Sequence, residues 1–121
     1  MARVPRPSRL LHPATGTVLA DTLEIPRTFL GRGIGLMFRS RLEPGQAMLI
    51  DPCNGIHMLF MRFPIDALFL DRQDRVKKIY ERVAPWIGVV WLVLGARKVV
   101  ELPAGTLGPL KLKPGDQMEL A

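Results

Sequence analysis

Residues 53–71 have the sequence CNGIHMLFMRFPIDALFLD, in which a turn signal opens a long apolar run that carries one histidine and one aspartate. Asparagine and glycine tolerate the positive φ angles of a type I′ turn, so Asn54-Gly55 predicts a two-residue hairpin between strands at residues 48–50 and 56–61. Pro52 lacks the N–H that a central strand donates. The first of these strands should therefore lie at an edge or bend at Pro52.

Cys53 and His57 lie close together in this stretch, as a nucleophile and a base would. A catalytic pair must come within hydrogen-bond reach, about 3 Å, and needs a third group that orients the base. In the predicted hairpin, four residues of extended chain span about 13 Å, and the two side chains point to opposite faces. The pattern therefore favours a small buried thiol and a hydrogen-bonded histidine, and we assign no catalytic residue.

The segment IDALFL at residues 65–70 is apolar at every position except Asp66, which predicts a strand buried on both faces. A buried carboxylate needs a partner, and Arg62, His57 and the backbone N–H groups near Pro64 are the candidates. One interpretation is a structural network that fixes the strand. The other is a ligand pocket that His57 and Asp66 share, with Arg62 and Met58 as further ligand-binding residues.

The composition limits the chain to a single domain. Its 121 residues are 48% hydrophobic, which supplies one core and leaves no room for a second domain. A single cysteine excludes an intramolecular disulfide and a cysteine zinc cluster. His12 and His57 with Cys53 are too few and too scattered for a standard zinc site, so we predict no metal and no cofactor.

Half of the net charge of +6 lies at the start of the chain, where Arg3, Arg6 and Arg9 occur in MARVPRPSRLLHPATG without an acidic residue. We interpret residues 1–16 as a flexible basic arm and residues 17–121 as one β-rich domain. The arm lacks the apolar run of a secretory signal peptide, which predicts a cytoplasmic protein. Elsewhere, basic and acidic residues interleave and aromatic residues are scarce, so nucleic-acid binding is not expected.

Short strands are predicted along the rest of the chain, at residues 17–20, 22–25, 76–83, 97–102 and 117–120. The segment LGRGIGLMFRSRL predicts one short helix near residues 30–42, ended by Glu43-Pro44-Gly45. A polar turn at residues 71–75 predicts a hairpin, and KPGD at residues 113–116 predicts a type II turn. Together these patterns indicate a mainly β fold, an antiparallel sandwich or barrel of the jelly-roll type.

An uncharged segment, IGVVWLVL at residues 87–94, follows Pro85-Trp86. It is far shorter than the roughly 20 apolar residues that cross a bilayer. A buried strand is one interpretation. The alternative is an exposed apolar patch that includes Trp86 and Trp91 and contacts a protein partner or a membrane surface.

Several segments resemble the bacterial and archaeal family known as domain of unknown function 192. They are GLMFR at residues 35–39, IHMLFMRFPIDALFLD at 56–71, VVELPAG at 99–105 and GD at 115–116. The resemblance implies a compact β-rich fold with the glycine-leucine-methionine segment on a short helix, and no established reaction. Family patterns place a tryptophan near the position of His57 and a polar pair at Arg62-Phe63.

Three functions fit these patterns. The first is a non-enzymatic module that binds a small ligand or a protein at a polar site around His57, Arg62 and Asp66. The second is an accessory protein of a membrane-surface, secretion or pilus-type assembly, which uses residues 86–94 and the basic arm as a peripheral membrane contact. The third is a hydrolase-like enzyme in which Cys53, His57 and Asp66 come together.

Overall fold

The computed structural model describes residues 6–121 and shows a mainly β protein with one short α-helix. The α-helix is α1, Phe29–Ile34, and a single 3-10 turn spans Gly108–Leu110. The strands are β1 Leu10–His12, β2 Thr17–Ala20, β3 Thr22–Glu24, β4 Gln46–Ile50, β5 Ile56–His57, β6 Ile65–Leu70, β7 Val76–Val83, β8 Val89–Val90, β9 Lys98–Pro103 and β10 Glu119–Leu120.

Three sheets organise these strands. The largest has five strands in the order β3-β4-β9-β6-β7, and β3 runs parallel to β4 while the other neighbours are antiparallel. A three-stranded sheet has the order β10-β1-β2, and β5 pairs with β8 as a two-stranded ribbon. The described strands form no closed barrel, and the sheets pack in a sandwich-like manner.

Both faces of the three central strands of the five-stranded sheet, β4, β9 and β6, are buried, each face in its own apolar core. Along β6, Leu68 and Leu70 face a core that the three-stranded sheet covers with residues such as Leu10 and Leu19. Alternate residues face the other core, where Phe69 packs with Met58 and other side chains from the β5–β8 side. Every residue of β6 is buried, so the predicted strand with two buried faces is confirmed.

The predicted hairpin across residues 65–83 is also confirmed, because β6 and β7 are antiparallel neighbours joined by a tight turn. The side chain of Asp71 accepts hydrogen bonds from the N–H groups of Gln73 and Arg75, which fixes that turn. The predicted type II turn is confirmed at Gly115, whose φ of 94° requires a residue without a Cβ.

The predicted Asn54-Gly55 hairpin is wrong. The strand before it, β4, pairs with β3 and β9, and the strand after it, β5, pairs with β8. The Cys53 N–H donates to the carbonyl oxygen of Arg97 and the Asn54 carbonyl oxygen accepts from Val93, so long-range partners take the bonds that a hairpin would have made.

The helix is shorter than predicted, and the folded domain begins earlier than residue 17. Gly35, with a φ of 51°, ends α1 after Ile34, so the predicted helix near residues 30–42 continues only as turns. Leu10–His12 form β1, and the wholly buried Leu10 places this part of the predicted 1–16 arm in the core. Arg3 of that arm lies outside the described residues.

Candidate functional site

A pocket of about 260 Å³ opens on the β5 side of the five-stranded sheet, between the end of α1 and the loop that leads from β4 to β5. Most of its lining is apolar. Four side chains with ionisable groups also line it, each from a different part of the chain: Arg32 in α1, Cys53 after β4, His57 in β5 and Glu101 in β9.

Glu101 lines this pocket from strand β9. Its register places it opposite Met48 on β4 and Ala67 on β6, so its side chain enters the apolar core on that face. The residue is only 5% exposed, and within residues 6–121 no group donates a hydrogen bond to its carboxylate. Burial raises the pKa of Glu101 from 4.5 to about 7.

Gly35 lets the backbone after α1 approach this carboxyl group. A Cβ built at Gly35 would lie 3.5 Å from Oε1 of Glu101 and 3.6 Å from the end of the Ile50 side chain. These are ordinary contact distances, so space alone would admit a Cβ. The φ of 51° disfavours residues with a Cβ, and this backbone conformation favours glycine at the position.

Cys53 and His57 line the same pocket, although the predicted hairpin would have pointed them to opposite faces. The Cys53 thiol donates to the Gly55 carbonyl oxygen at 3.0 Å, and Nδ1 of His57 accepts from the Leu59 N–H at 3.3 Å. Burial raises the pKa of the Cys53 thiol, the hydrogen bond with Gly55 lowers it by less, and the nearby Glu101 charge adds a smaller increase. Each side chain has a local partner, and no hydrogen bond joins the two within the described residues.

Asp66 lies on the opposite face of the sheet from this pocket. It is wholly buried and pairs in register with Leu102, whereas the neighbouring Ala67 pairs with Glu101. Its carboxylate accepts three backbone hydrogen bonds, from Arg82 at 2.9 Å, Gly105 at 3.1 Å and Leu107 at 2.8 Å. The expected partner of the buried carboxylate is therefore backbone N–H, supplied by Arg82 in β7 and by the segment after β9, and not by the segment near Pro64.

The four ligand-binding residues expected from the sequence do not meet in one site. His57 lines the pocket, while Met58 is fully buried in the core behind it. Arg62 is exposed in the loop before β6, and Asp66 faces the other core. Glu101 was not among the site residues predicted from the sequence. Its one available signal was a carboxylate in the apolar segment VVEL, at residues 99–102.

Most apolar side chains of residues 86–94 are exposed, as the alternative to a buried strand predicts, although Val90 and Val93 are buried. Contact of this segment with a protein partner or a membrane surface stays a prediction. Only Val89–Val90 form a strand, and Trp91, Ile87 and Leu94 are 89%, 82% and 79% exposed. Trp86 is half exposed and packs edge-on against Phe60, with ring centroids 5.2 Å apart.

No three His, Cys, Asp or Glu side chains gather as metal ligands would in residues 6–121. The same part of the chain contains no helix that is long and apolar enough to cross a bilayer.

The fold and the pocket define a small mainly β domain with one partly enclosed site that carries a buried carboxyl group. A family model described as "Uncharacterized ACR", domain of unknown function 192, matches residues 11–120. The chain belongs to this family.

Relatives of known sequence include two archaeal proteins of uncharacterised family UPF0127. The protein from Thermococcus sibiricus is 29% identical over 114 residues, which cover 91% of this chain and 73% of the relative. The protein from Pyrococcus abyssi is 33% identical over 103 residues, which cover 80% and 84%.

Two crystal structures share the fold. A protein of unknown function from Novosphingobium aromaticivorans superposes with a TM-score of 0.79 at 25% identity, covering 92% of this chain and 83% of that one. A protein from Sinorhizobium meliloti, described as a putative transcription regulator, has a TM-score of 0.79 at 28% identity and covers 98% and 97%.

Proposed function

We propose that the protein is a non-enzymatic module that binds a small ligand in the pocket above Glu101. The observation that carries this proposal is a carboxyl group that is buried, opens onto a pocket and receives no hydrogen bond from residues 6–121. The oxygens of a carboxyl group that opens onto a pocket and has no protein donor can accept hydrogen bonds from a bound molecule, which makes the group an anchor for a ligand.

The polar and apolar groups of the pocket indicate the class of ligand that it would bind. A carboxylate is an acceptor, so its complement is a hydrogen-bond donor, and an ammonium or guanidinium group would also supply the opposite charge. The apolar lining suits a short aliphatic body beside that cationic group. A volume of about 260 Å³ is below the usual range for drug-sized ligands, which favours a molecule of only a few heavy atoms.

The remaining polar groups fit binding better than catalysis. The Cys53 thiol is held as a donor to Gly55, and its raised pKa keeps it protonated and a weak nucleophile near neutral pH. The free Cys53 thiol beside an acidic group is stable in a reducing compartment. We therefore propose that the protein is located in the cytoplasm.

Thermal unfolding with small cations tests the proposal. Ethylammonium, ethanolammonium and guanidinium ions would be compared with neutral acetamide and with acetate, each at the same ionic strength. We expect at least one cation to raise the melting temperature, with tighter binding above pH 7 where Glu101 is ionised.

Two variants make the test specific. Glu101→Gln should abolish the stabilisation, while Glu119→Gln, at an exposed carboxylate on β10, should preserve it. Stabilisation that persists in Glu101→Gln, or that acetate produces as well as the cations, would disprove the assignment of this pocket.

A further inference from the structure

A second surface, none of whose residues lines the pocket, has the composition of a membrane contact. We define the apolar patch as residues 86–94 together with Phe38 and Phe60. Phe38, Phe60 and Trp86 form a row of rings with successive centroids 5.2 Å apart, and all three are at least 44% exposed. The patch also holds the most exposed apolar side chains of the described chain, Trp91, Ile87 and Leu94.

The backbone of this patch is well anchored although its side chains are exposed. The Trp86 N–H donates to the Met58 carbonyl oxygen at 2.7 Å, and the Val93 N–H donates to that of Asn54 at 2.8 Å. Val90 and Val93 are buried in the core beneath. The exposed side chains therefore project from backbone that is hydrogen-bonded to the rest of the domain.

Basic side chains flank the apolar patch at both ends. Arg62 is exposed and lies two residues after Phe60. At the other end, the Lys77 side chain packs on Gly95, where a Cβ would lie 2.9 Å from its Cε, and Arg72 lines the same depression. No carboxylate of residues 6–121 forms an ion pair with any of these three.

The carboxylates near the Gly95 end of the apolar patch already interact with other groups of the protein. Asp51 pairs with Arg97, and Asp71 accepts the hydrogen bonds of its own turn. Residues 86–94 contain no charged residue. An apolar centre with tryptophan, isoleucine and leucine side chains, flanked by unpaired cations, matches the requirements of an interface that lies on negatively charged lipid headgroups.

We propose that the apolar patch docks on an anionic lipid surface. The exposed side chains of residues 86–94, but not the buried Val90 and Val93, enter the headgroup region, and Arg62, Arg72 and Lys77 contact lipid phosphates. Each basic residue near such a surface adds about a fivefold gain in partition, and each large apolar side chain that leaves water adds about tenfold.

Vesicle flotation of the full chain tests this proposal. The vesicles contain phosphatidylcholine alone or phosphatidylcholine with phosphatidylglycerol. We expect binding to the anionic vesicles in about 0.1 M salt and a large loss in about 1 M salt, where the Debye length falls from about 10 to about 3 Å. Both tryptophans of the chain lie in the patch, so brominated lipid should quench the fluorescence of the wild-type protein directly.

Matched variants separate the patch from the rest of the surface. Trp91→Ser and Leu94→Ser should each weaken binding about tenfold, and Arg62→Glu with Lys77→Glu should weaken it at least tenfold. The controls are Val18→Ser on β2 and Lys111→Glu after the 3-10 turn, which should bind as the wild type does, because Val18 is half exposed and Lys111 is exposed outside the patch.

Three results would overturn the proposal. The first is no flotation with anionic vesicles or equal binding to both vesicle types. The second is wild-type binding by Trp91→Ser and Leu94→Ser. The third is a wild-type dimer in sedimentation that these two substitutions convert to a monomer, because a second copy would then cover the patch.

Discussion

Glu101 couples the stability of the protein to pH. Burial raises its pKa from 4.5 to about 7, so the folded state holds a proton that the unfolded state has lost between these values. The stability that the protonated carboxyl contributes is complete below pH 4.5 and is lost as the pH rises through 7. The full effect is about 3 kcal/mol. The groups that face Glu101 across the pocket are Arg32, Cys53 and His57.

We therefore expect Glu101→Gln to unfold with a larger free energy than the wild type above pH 7.5 or so, by up to about 3 kcal/mol, and the gain to vanish near pH 4.5. Urea denaturation at several pH values measures the difference. Glu119→Gln on the exposed strand β10 is the control and should show no such trend. A constant difference across the range would mean that Glu101 ionises normally.

Asp66 stabilises the fold through its three backbone hydrogen bonds. In Asp66→Asn, an amide NH₂ would face backbone donors, and at least one buried N–H would lose its acceptor. We expect a loss of about 2–4 kcal/mol in the free energy of unfolding, measured in urea.

Asp116→Asn is the matched control for this substitution. The Asp116 carboxylate accepts a single N–H, that of Lys113, in an exposed turn, so its loss should be below about 1 kcal/mol. Equal losses in the two variants would contradict a special role for Asp66.

At the scale of elements, the sequence predicts best where local signals and long-range pairing agree. Strand β6 and its hairpin with β7 follow from an apolar run and a polar turn. Asn54-Gly55 carries an equally strong local signal, yet β9 is the better partner for β4 because it continues the buried sheet. Which strand pairs with which is decided by core burial on both faces, and a local turn signal does not contain that information.

The candidate site depends on the same long-range pairing. Glu101 meets Cys53 and His57 only because β9 lies beside β4, with the pocket above both. Cys53 and His57 could be proposed from the sequence, but it did not show that they line one pocket together with the buried carboxyl group of Glu101. Asp66 was predicted to be buried and partnered, and it is, but its partners come from residues 82–107.

The β5–β8 ribbon depends on Gly55 for a reason that has nothing to do with a turn. A Cβ at this position would lie 2.6 Å from the carbonyl oxygen of Trp91 and 2.7 Å from that of Val90. Gly55→Ala should therefore cost about 1–3 kcal/mol, since backbone atoms would have to move.

Gly33→Ala is the matched control within α1. Nothing lies within 4 Å of a Cβ at Gly33, so the substitution should stabilise the helix by up to about 1 kcal/mol. Urea denaturation of both variants tests the contrast, and a destabilised Gly33→Ala or a neutral Gly55→Ala would contradict it.

At the scale of the whole molecule, two cores share one sheet. Leu68 and Phe69 are neighbours on β6, both wholly buried, and they face opposite cores. Strand β6 is hydrogen-bonded to β7 on one side and β9 on the other. Neither core can lose this strand while the other keeps it, so the two should unfold together.

We expect Leu68→Ala and Phe69→Ala to lower the free energy of unfolding by about 2–5 and about 3–5 kcal/mol. In each variant, tryptophan fluorescence, which reports on residues 86 and 91, and far-UV circular dichroism should give the same midpoint in urea. Val18→Ala, at a half-exposed position on β2, should stay within about 0.5 kcal/mol of the wild type. If Phe69→Ala moved the fluorescence midpoint and left the dichroism midpoint in place, the β5–β8 side would unfold independently of the opposite core.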